Sequence, residues 1–248
     1  MRLHMHSYCA QPIAHRGLHG AVTGHVENST AALREAYEAG YAIECDVRAS
    51  VDHQAFVFHD ATGARLLAAP ADARSEAFTL AAQPADAIQA TRVAGTDAPP
   101  PTFEALLALV AGRVPLIVEI KPDAATRASE TLDAMALAAA TYTGDLAFKS
   151  FDPDLCARLK RRLPYLPIGL VIGPHPPPAG VWPWRCPALR DLTSADFLSV
   201  AVSRVHDPLF QTLRRLQAKP LFTWTVREPE EHSLARRYAD AAIFELTA

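Results

Sequence analysis

The chain has 248 residues, of which 50% are hydrophobic and 21% are charged, and its formal net charge is −3. This composition excludes a disordered protein, and the length suits one large α/β core better than two small domains. A nucleic-acid-binding surface usually carries a basic excess, which this chain lacks, so we expect no nucleic-acid partner.

The four cysteines are scattered, with no CxxC pair that would indicate a structural zinc site or a disulfide framework. They are Cys9, Cys45, Cys156 and Cys186. The first residues, MRLHMHSYCAQP, lack the apolar run of a signal peptide, and no stretch has the roughly 18 apolar residues of a membrane span. We therefore expect reduced thiols, a cytoplasmic location and no integral membrane segment.

Short apolar runs alternate with longer helical patterns along the chain. The predicted helices are Ser29–Ala39, Ala124–Ala140, one that begins at Asp152-Pro153, Pro208–Gln217 and Pro229–Tyr238. The predicted strands are Pro12–His15, Ala42–Val47, Leu116–Ile120, Leu146–Phe151, Ile168–Ile172, Phe197–Val200, Leu221–Val226 and Ala241–Phe244, with a further apolar run at Ala55–His59.

This alternation predicts a parallel sheet, and eight strands in this length favour a closed (β/α)8 TIM barrel over an open doubly wound sheet. The open sheet would need a GxGxxG turn after the first strand, and the sequence has none. We expect residues 1–248 to form a single barrel domain. The Ala- and Pro-rich segment 61–101, with one helical piece near Ala81–Ala90, is predicted to be a small insertion after the second strand.

The segment Gly173–Ala195 is rich in proline and carries Trp182 and Trp184. It follows the fifth predicted strand, so we expect it at the catalytic mouth of the barrel. Packing and ligand contact are both open as roles for the two indoles.

Polar residues follow or end several of the predicted strands. They are His15, Arg16, Glu44, Asp46, Glu119, Lys121, Lys149, Ser150 and Trp224, with His59 at the end of the extra apolar run. Because the carboxyl ends of barrel strands meet at one face, these side chains are expected to converge.

The spacing of the acidic residues predicts a metal site. Glu44 and Asp46 are two apart on one strand and therefore point to the same side, as do Glu119 and Lys121. Three inward carboxylates repel one another unless a hard divalent cation such as Mg²⁺ or Ca²⁺ lies between them. Arginine, lysine and a cation fit a phosphate, and two histidines fit an acid and a base.

Each of these residues, taken alone, also fits a structural role. A histidine at a strand end is often a hydrogen-bonding residue, a Glu-x-Asp pair is often a solvated edge, and Trp224 fits core packing. Their joint placement at strand ends favours the catalytic interpretation.

The chain resembles the glycerophosphodiester phosphodiesterase family in an ordered set of motifs. AHRG, ENST, IECDVRASVD, FVFHD, the PTFEALLALVAGRVPLIVEIKP run, KSFDP and FTWTV follow one another over roughly residues 12–226. The resemblance implies a (β/α)8 barrel with an insertion after the second strand. It also implies hydrolysis of a small-molecule glycerophosphodiester to glycerol 3-phosphate and an alcohol.

The resemblance also implies a role for each matching position. It implies His15 and His59 as the acid and base, and Glu44, Asp46 and Glu119 as ligands of one divalent cation, Mg²⁺ or Ca²⁺. It implies Arg16 and Lys121 as phosphate contacts and Glu27 as a supporting acidic residue. Trp224 would be the aromatic residue on the glycerol side, and Ser150 a further substrate contact.

The chain departs from the family pattern at several positions outside this set. His53 replaces a turn glycine, Lys149 replaces an apolar or small polar residue, and the terminal I-T-D-x-P motif reads Ile243-Phe244-Glu245-Leu246-Thr247. Two alternatives stay open: cleavage of phospholipid or lysophospholipid head groups at the same site, and a non-catalytic barrel that binds phosphate ligands.

Overall fold

The computed structural model describes residues 5–175, 192 and 194–247. These residues form eleven strands, eight of which close into a barrel. In chain order the strands are β1 (Ile13–His15), β2 (Ala42–Ala49), β3 (Ala55–Val57), β4 (Leu67–Ala69), β5 (Arg92–Val93), β6 (Leu116–Ile120), β7 (Leu146–Ser150), β8 (Ile168–Ile172), β9 (Phe197–Ala201), β10 (Leu221–Val226) and β11 (Ala241–Phe244). The barrel order is β1-β2-β6-β7-β8-β9-β10-β11, all parallel, and the β11–β1 pairing closes it. The predicted TIM barrel is therefore confirmed.

The helices of the described residues are α1 (His6–Cys9), α2 (Thr30–Glu38), α3 (Ala85–Gln89), α4 (Phe103–Val110), α5 (Ala124–Arg127), α6 (Ser129–Ala140), α7 (Pro153–Arg162), α8 (Pro208–Leu216) and α9 (Pro229–Tyr238). Capping side chains fix the N-termini of helices such as α2 and α7. The Ser29 hydroxyl accepts from the Ala32 amide at 3.2 Å, and an Asp152 carboxylate oxygen accepts from the Asp154 amide at 2.9 Å with Pro153 in the first turn.

The prediction of one continuous helix over Ala124–Ala140 is wrong. Ala128 has extended backbone (φ −61°, ψ 143°) and separates α5 from α6. The Asp123 carboxylate and the Thr126 hydroxyl form a capping box around α5, and the Thr131 hydroxyl donates to the Ala125 carbonyl at 2.7 Å. These local side-chain bonds hold a break that alanine propensity alone does not indicate.

Segment 61–101 contains the antiparallel pair β4–β5, two 3₁₀ turns and α3, which lies within the predicted helical piece. Its apolar residues form a cluster with two phenylalanines on or just after β3; the members are Phe56, Phe58, Leu66, Leu67, Ala73, Leu80 and Ile88. The antiparallel strand β3 joins the barrel strand β2 to this segment. The division into one domain with an insertion stays a prediction.

The alternation of side chains along the strands gives the barrel interior two kinds of layer. An apolar layer comes from inward positions near the strand starts: Ile13, Ala42, Ile117, Ala147, Phe197, Phe222, Ala241 and Ile243, with Met5 and Tyr8 against it. Two residues further along the same strands the inward positions become polar, among them His15, Glu44, Glu119 and Lys149. The charged layer therefore lies at the carboxyl end of the barrel.

No helix in the described residues is long and apolar enough to cross a membrane. Trp182 and Trp184 lie outside the described residues, so the predicted position of their segment at the barrel mouth stays a prediction.

Gly169 provides a test of the interior packing. It pairs in register with both Lys149 and Phe197, and a Cβ added there would lie 2.3 Å from the Phe197 ring. We expect Gly169→Ala to lower the free energy of unfolding by about 1–3 kcal/mol, the usual effect of overpacking. Urea denaturation measures this change.

Gly173→Ala is the matched control, because a Cβ there would meet Phe151 at an ordinary 3.7 Å. It should change the unfolding free energy by less than about 0.5 kcal/mol. Equal effects of the two substitutions would contradict the packing argument.

Candidate active site

Three carboxylates converge inside the barrel mouth. Glu44 and Asp46 lie on β2 and Glu119 lies opposite Asp46 on β6. One oxygen from each lies within 4.8 Å of the others, and all three residues are buried. The structure therefore brings together the three residues that the spacing predicts to point inward.

Three cationic side chains contact this carboxylate cluster. Lys121 Nζ lies 2.8 Å from Asp46 Oδ1 and also contacts Glu119 Oε1, and Arg16 Nε lies 3.1 Å from Asp46 Oδ2. Lys149 Nζ lies 2.9 Å from Glu44 Oε1 and 3.1 Å from Glu119 Oε2. Each of the three carboxylates therefore has at least one cationic partner.

The cationic partners keep Asp46 and Glu119 ionised. Burial by itself would raise the pKa of Asp46, but Lys121 and Arg16 outweigh it and hold that pKa below its usual range. Burial is likewise outweighed at Glu119, where Lys149 and Lys121 lower the pKa. The same attractions raise the pKa of both lysines against the effect of their burial.

The turn after β1 places Arg16 in this network. Arg16 has φ 56° and Gly17 φ 77°, and a Cβ on Gly17 would meet the Ala32 carbonyl at 2.6 Å. This close approach to α2 requires glycine. Arg16 Nη1 then donates to Glu27 at 2.7 Å, and the side-chain amide of Asn28 donates from Nδ2 to Asp46 Oδ2 at 2.9 Å.

His15 lies between the cluster and a carboxylate that the sequence interpretation did not include. Its Nε2 lies 3.8 Å from Glu44 Oε2, and its Nδ1 lies 2.5 Å from Oε1 of Glu245, just after β11. Burial would raise the pKa of Glu245, but the bond to His15 and the nearby His19 ring, 3.7 Å away, lower it overall. The contact with Glu245 occupies Nδ1 and leaves Nε2 on the side of Glu44. The sequence signal that could have identified Glu245 is its position in the altered I-T-D-x-P motif, where it keeps an acidic side chain.

His59 repeats the arrangement after β3. Its Nδ1 lies 2.7 Å from Asp60 Oδ1, and Arg65 bonds both oxygens of that carboxylate. Arg65 also bonds Glu27, so the second histidine is tied to the Arg16 side of the site. Although burial would raise the pKa of Asp60, the bonds to Arg65 and His59 lower it to about 2.

Ser150 and Trp224, the two remaining predicted substrate contacts, differ in their exposure at the barrel mouth. The Ser150 hydroxyl is fully buried and donates to the Ile120 carbonyl at 2.8 Å, and its substrate role stays a prediction. Trp224 is inward on β10, where its Nε1 donates to the Ser199 carbonyl at 3.0 Å and its ring meets Phe151 edge-on at 5.7 Å. Trp224 is partly exposed, as a substrate-lining ring would be.

The donor chemistry of the carboxylate cluster fits a hard divalent cation. Its ligand atoms are carboxylate oxygens, which suit Mg²⁺ or Ca²⁺, and they lie close enough together to share one ion. A second group of His15, His19 and Glu245 also has ligand atoms within 4.8 Å of one another. In that group the close His15–Glu245 bond already joins two of the three members.

Buried carboxylates, two histidines, an arginine and two lysines therefore meet at the carboxyl end of a TIM barrel, which is the end where the active sites of barrel enzymes lie. The Glycerophosphoryl diester phosphodiesterase family model matches residues 15–245. The chain belongs to this family and is a phosphoric diester hydrolase.

Solved structures agree on the fold. A putative glycerophosphoryl diester phosphodiesterase from Silicibacter pomeroyi is 21% identical to this chain and has a TM-score of 0.79. The alignment covers 94% of this chain and 89% of the Silicibacter pomeroyi chain. A phosphodiesterase from Oleispira antarctica, in complex with the product sn-glycerol-3-phosphate, is 21% identical with a TM-score of 0.73 and coverage of 94% and 92%. A glycerophosphodiester phosphodiesterase from Thermotoga maritima is 22% identical with a TM-score of 0.68 and 94% coverage of each chain. A search of curated proteins gives no match.

The surroundings of His59 generate a prediction about its titration. Burial is the largest influence and lowers its pKa, whereas Asp46 and the bond to Asp60 raise it. In chelator-treated protein we expect His59 to titrate below its ordinary value of about 6.5. Asp60→Asn should lower this pKa further, because the substitution removes an interaction that favours the imidazolium.

NMR titration of the labelled imidazole measures both values. Asp72→Asn, at an exposed position of the insertion, should leave the His59 pKa unchanged. A His59 pKa above 6.5, or a rise in Asp60→Asn, would contradict the assigned environment.

Proposed function

We propose that the chain hydrolyses glycerophosphodiesters to glycerol 3-phosphate and an alcohol, using His15 and His59 as acid and base beside a carboxylate-held divalent cation. The observation that supports this most strongly is the single network of Glu44, Asp46 and Glu119 with Arg16 and Lys121. The product bound to the Oleispira antarctica protein is the one that this reaction would release.

Arg16 and Lys121 are suited to bind the phosphodiester. Both are held by carboxylates, so their charged groups have little freedom to lose when the substrate arrives. A guanidinium fork and an ammonium can each donate to a phosphate oxygen. Glu27 supports this arrangement through its bond to the Arg16 guanidinium.

His15 and His59 supply the proton transfers. Each has a carboxylate at Nδ1, Glu245 for His15 and Asp60 for His59, which leaves Nε2 as the atom that accepts or donates a proton. One histidine deprotonates the nucleophile that forms a new bond to phosphorus, and the other protonates the alcohol oxygen as its bond to phosphorus breaks, so that one water is consumed over the whole reaction. The carboxylate partners would stabilise the imidazolium that forms on either ring.

Glu44, Asp46 and Glu119 would hold the divalent cation. When bound, the ion offsets the charge that develops on the phosphoryl oxygens. The oxygen-only donor set favours Mg²⁺ or Ca²⁺ over softer metals.

The substrate end of the site includes Trp224, which we propose lines the glycerol side. Its indole is fixed by the bond to Ser199 and by the Phe151 ring, so it offers a rigid apolar wall. We also propose that the protein works in the cytoplasm, which the free thiols of Cys9 and Cys45 support.

The histidine roles are tested by activity. We expect His15→Ala and His59→Ala each to lower turnover of glycerophosphocholine by about 10² or more, the usual scale for a positioned acid or base. Release of glycerol 3-phosphate measures the reaction, and circular dichroism checks the fold.

His25→Ala is the matched control, since His25 pairs with Glu35 at 2.6 Å and belongs to none of the contacts above. It should keep most of the activity. Near-normal turnover in either of the other two variants would remove that histidine from the mechanism.

The cation requirement is tested by removing metal. Dialysis against EDTA should abolish turnover, and Mg²⁺ or Ca²⁺ should restore it, because the three carboxylates need the ion to act on a phosphate. Glu119→Gln should leave little for the ion to restore, whereas Glu104→Gln, on the outer helix α4, should behave as the unaltered chain does. Full turnover in EDTA would overturn the requirement.

A further inference from the structure

Lys149 occupies an unusual place beside the carboxylate cluster. It is inward on β7, opposite Glu119 on β6, and only 1% of its surface is exposed. Its ammonium bridges Glu44 at 2.9 Å and Glu119 at 3.1 Å. The mechanism above assigns no step to this residue.

Lys149 differs from Lys121 in what it can reach. Lys121 lies just beyond the end of β6 and joins Asp46 to Glu119, at the position where a phosphate contact is expected. Lys149 lies within β7, pairs in register with Gly169 as well as Glu119, and has almost no exposed surface. It therefore has no open path to a substrate phosphate, and its charge acts on the carboxylates.

The charges of the cluster balance without an added ion. Glu44, Asp46 and Glu119 carry three negative charges, and Lys121, Lys149 and Arg16 carry three positive charges. Without Lys149 the same set would carry a net charge of −1, which favours a divalent cation more strongly. An ion that binds Glu44 and Glu119 also has to share them with an ammonium that already contacts both.

We propose that Lys149 is a tethered cation that competes with the divalent ion for Glu44 and Glu119 and so sets a low affinity of this site for metal. The ammonium carries part of the charge compensation that an ion would otherwise supply. The chain can then fold with its three carboxylates ionised before any ion binds, and ion binding displaces or weakens the two Lys149 contacts.

This inference rests on the proposed function only in treating the three carboxylates as an ion site. Its test measures binding and not turnover. Failure to hydrolyse glycerophosphodiesters would therefore overturn the proposed function and leave the proposed competition between Lys149 and the ion intact. An unchanged ion affinity in the Lys149 variant would overturn the competition and leave the proposed function intact.

Isothermal titration of chelator-treated protein with Mg²⁺, Ca²⁺ and Mn²⁺ tests the competition. We expect Lys149→Met, which keeps an unbranched side chain one atom shorter and removes its charge, to lower Kd for these ions by about 10–100-fold, the range for groups that adjoin metal ligands. Lys149→Arg, which keeps the charge, should bind no more tightly than the unaltered chain.

Lys160→Met is the matched control, because Lys160 also pairs with a carboxylate, Asp196 at 2.5 Å, but on α7 outside the barrel. Its Kd should equal that of the unaltered chain. An unchanged Kd in Lys149→Met would overturn the proposal, as would a Kd below about 10⁻⁸ M in the unaltered chain, the range of dedicated high-affinity sites.

The thermal midpoint gives a second readout if Lys149→Met is too unstable to titrate. The variant should have a lower Tm than the unaltered chain in EDTA, and added Ca²⁺ should raise its Tm by more than it raises that of the unaltered chain. A variant that Ca²⁺ fails to stabilise would show that Lys149 is a structural partner, which contradicts competition.

Discussion

Compensation of three buried carboxylates is the constraint on which the barrel mouth depends. Glu44 is fully buried, and Asp46 and Glu119 are nearly so. An ionised carboxylate without a partner in such a place costs several kcal/mol, so the barrel tolerates the cluster only because Lys149, Lys121 and Arg16 lie against it. His15 lies directly against this cluster, at 3.8 Å from Glu44, whereas His59 is connected to it through a longer series of ion pairs that runs through Asp60, Arg65, Glu27 and Arg16.

Strand geometry explains why the compensating groups meet. Asp46, Glu119 and Lys149 occupy matching register positions on the neighbouring strands β2, β6 and β7, so alternation sends all three to the interior. One level below, the same alternation gives apolar residues such as Ile117 and Ala147. The apolar layer closes the floor of the barrel, and the charged layer lies on the side of the mouth.

The sequence predicts those features that local patterns determine. Strand limits such as Ile168–Ile172 and Leu221–Val226 match because short apolar runs end at polar or turn residues. The break at Ala128 depends on side-chain bonds of Asp123 and Thr126, and propensity does not report such bonds. The pairing of His15 with Glu245 joins residues 230 positions apart, and only closure of β11 on β1 brings them together.

Lys149 shows how one departure from a family pattern changes the relation between folding and ion binding. When a site depends on its metal for charge balance, the free energy of metal binding becomes part of the free energy of folding. Here Lys149 supplies a covalently attached positive charge to Glu44 and Glu119, so much of that balance exists in the folded chain before the ion arrives. The remaining attraction for a divalent ion is then smaller, and it is directed to the carboxylate oxygens that the ion has to share with Lys149. Under the proposed competition, such a chain would keep an ordered site when metal is scarce and would gain the ion's effect on phosphate only when metal is abundant.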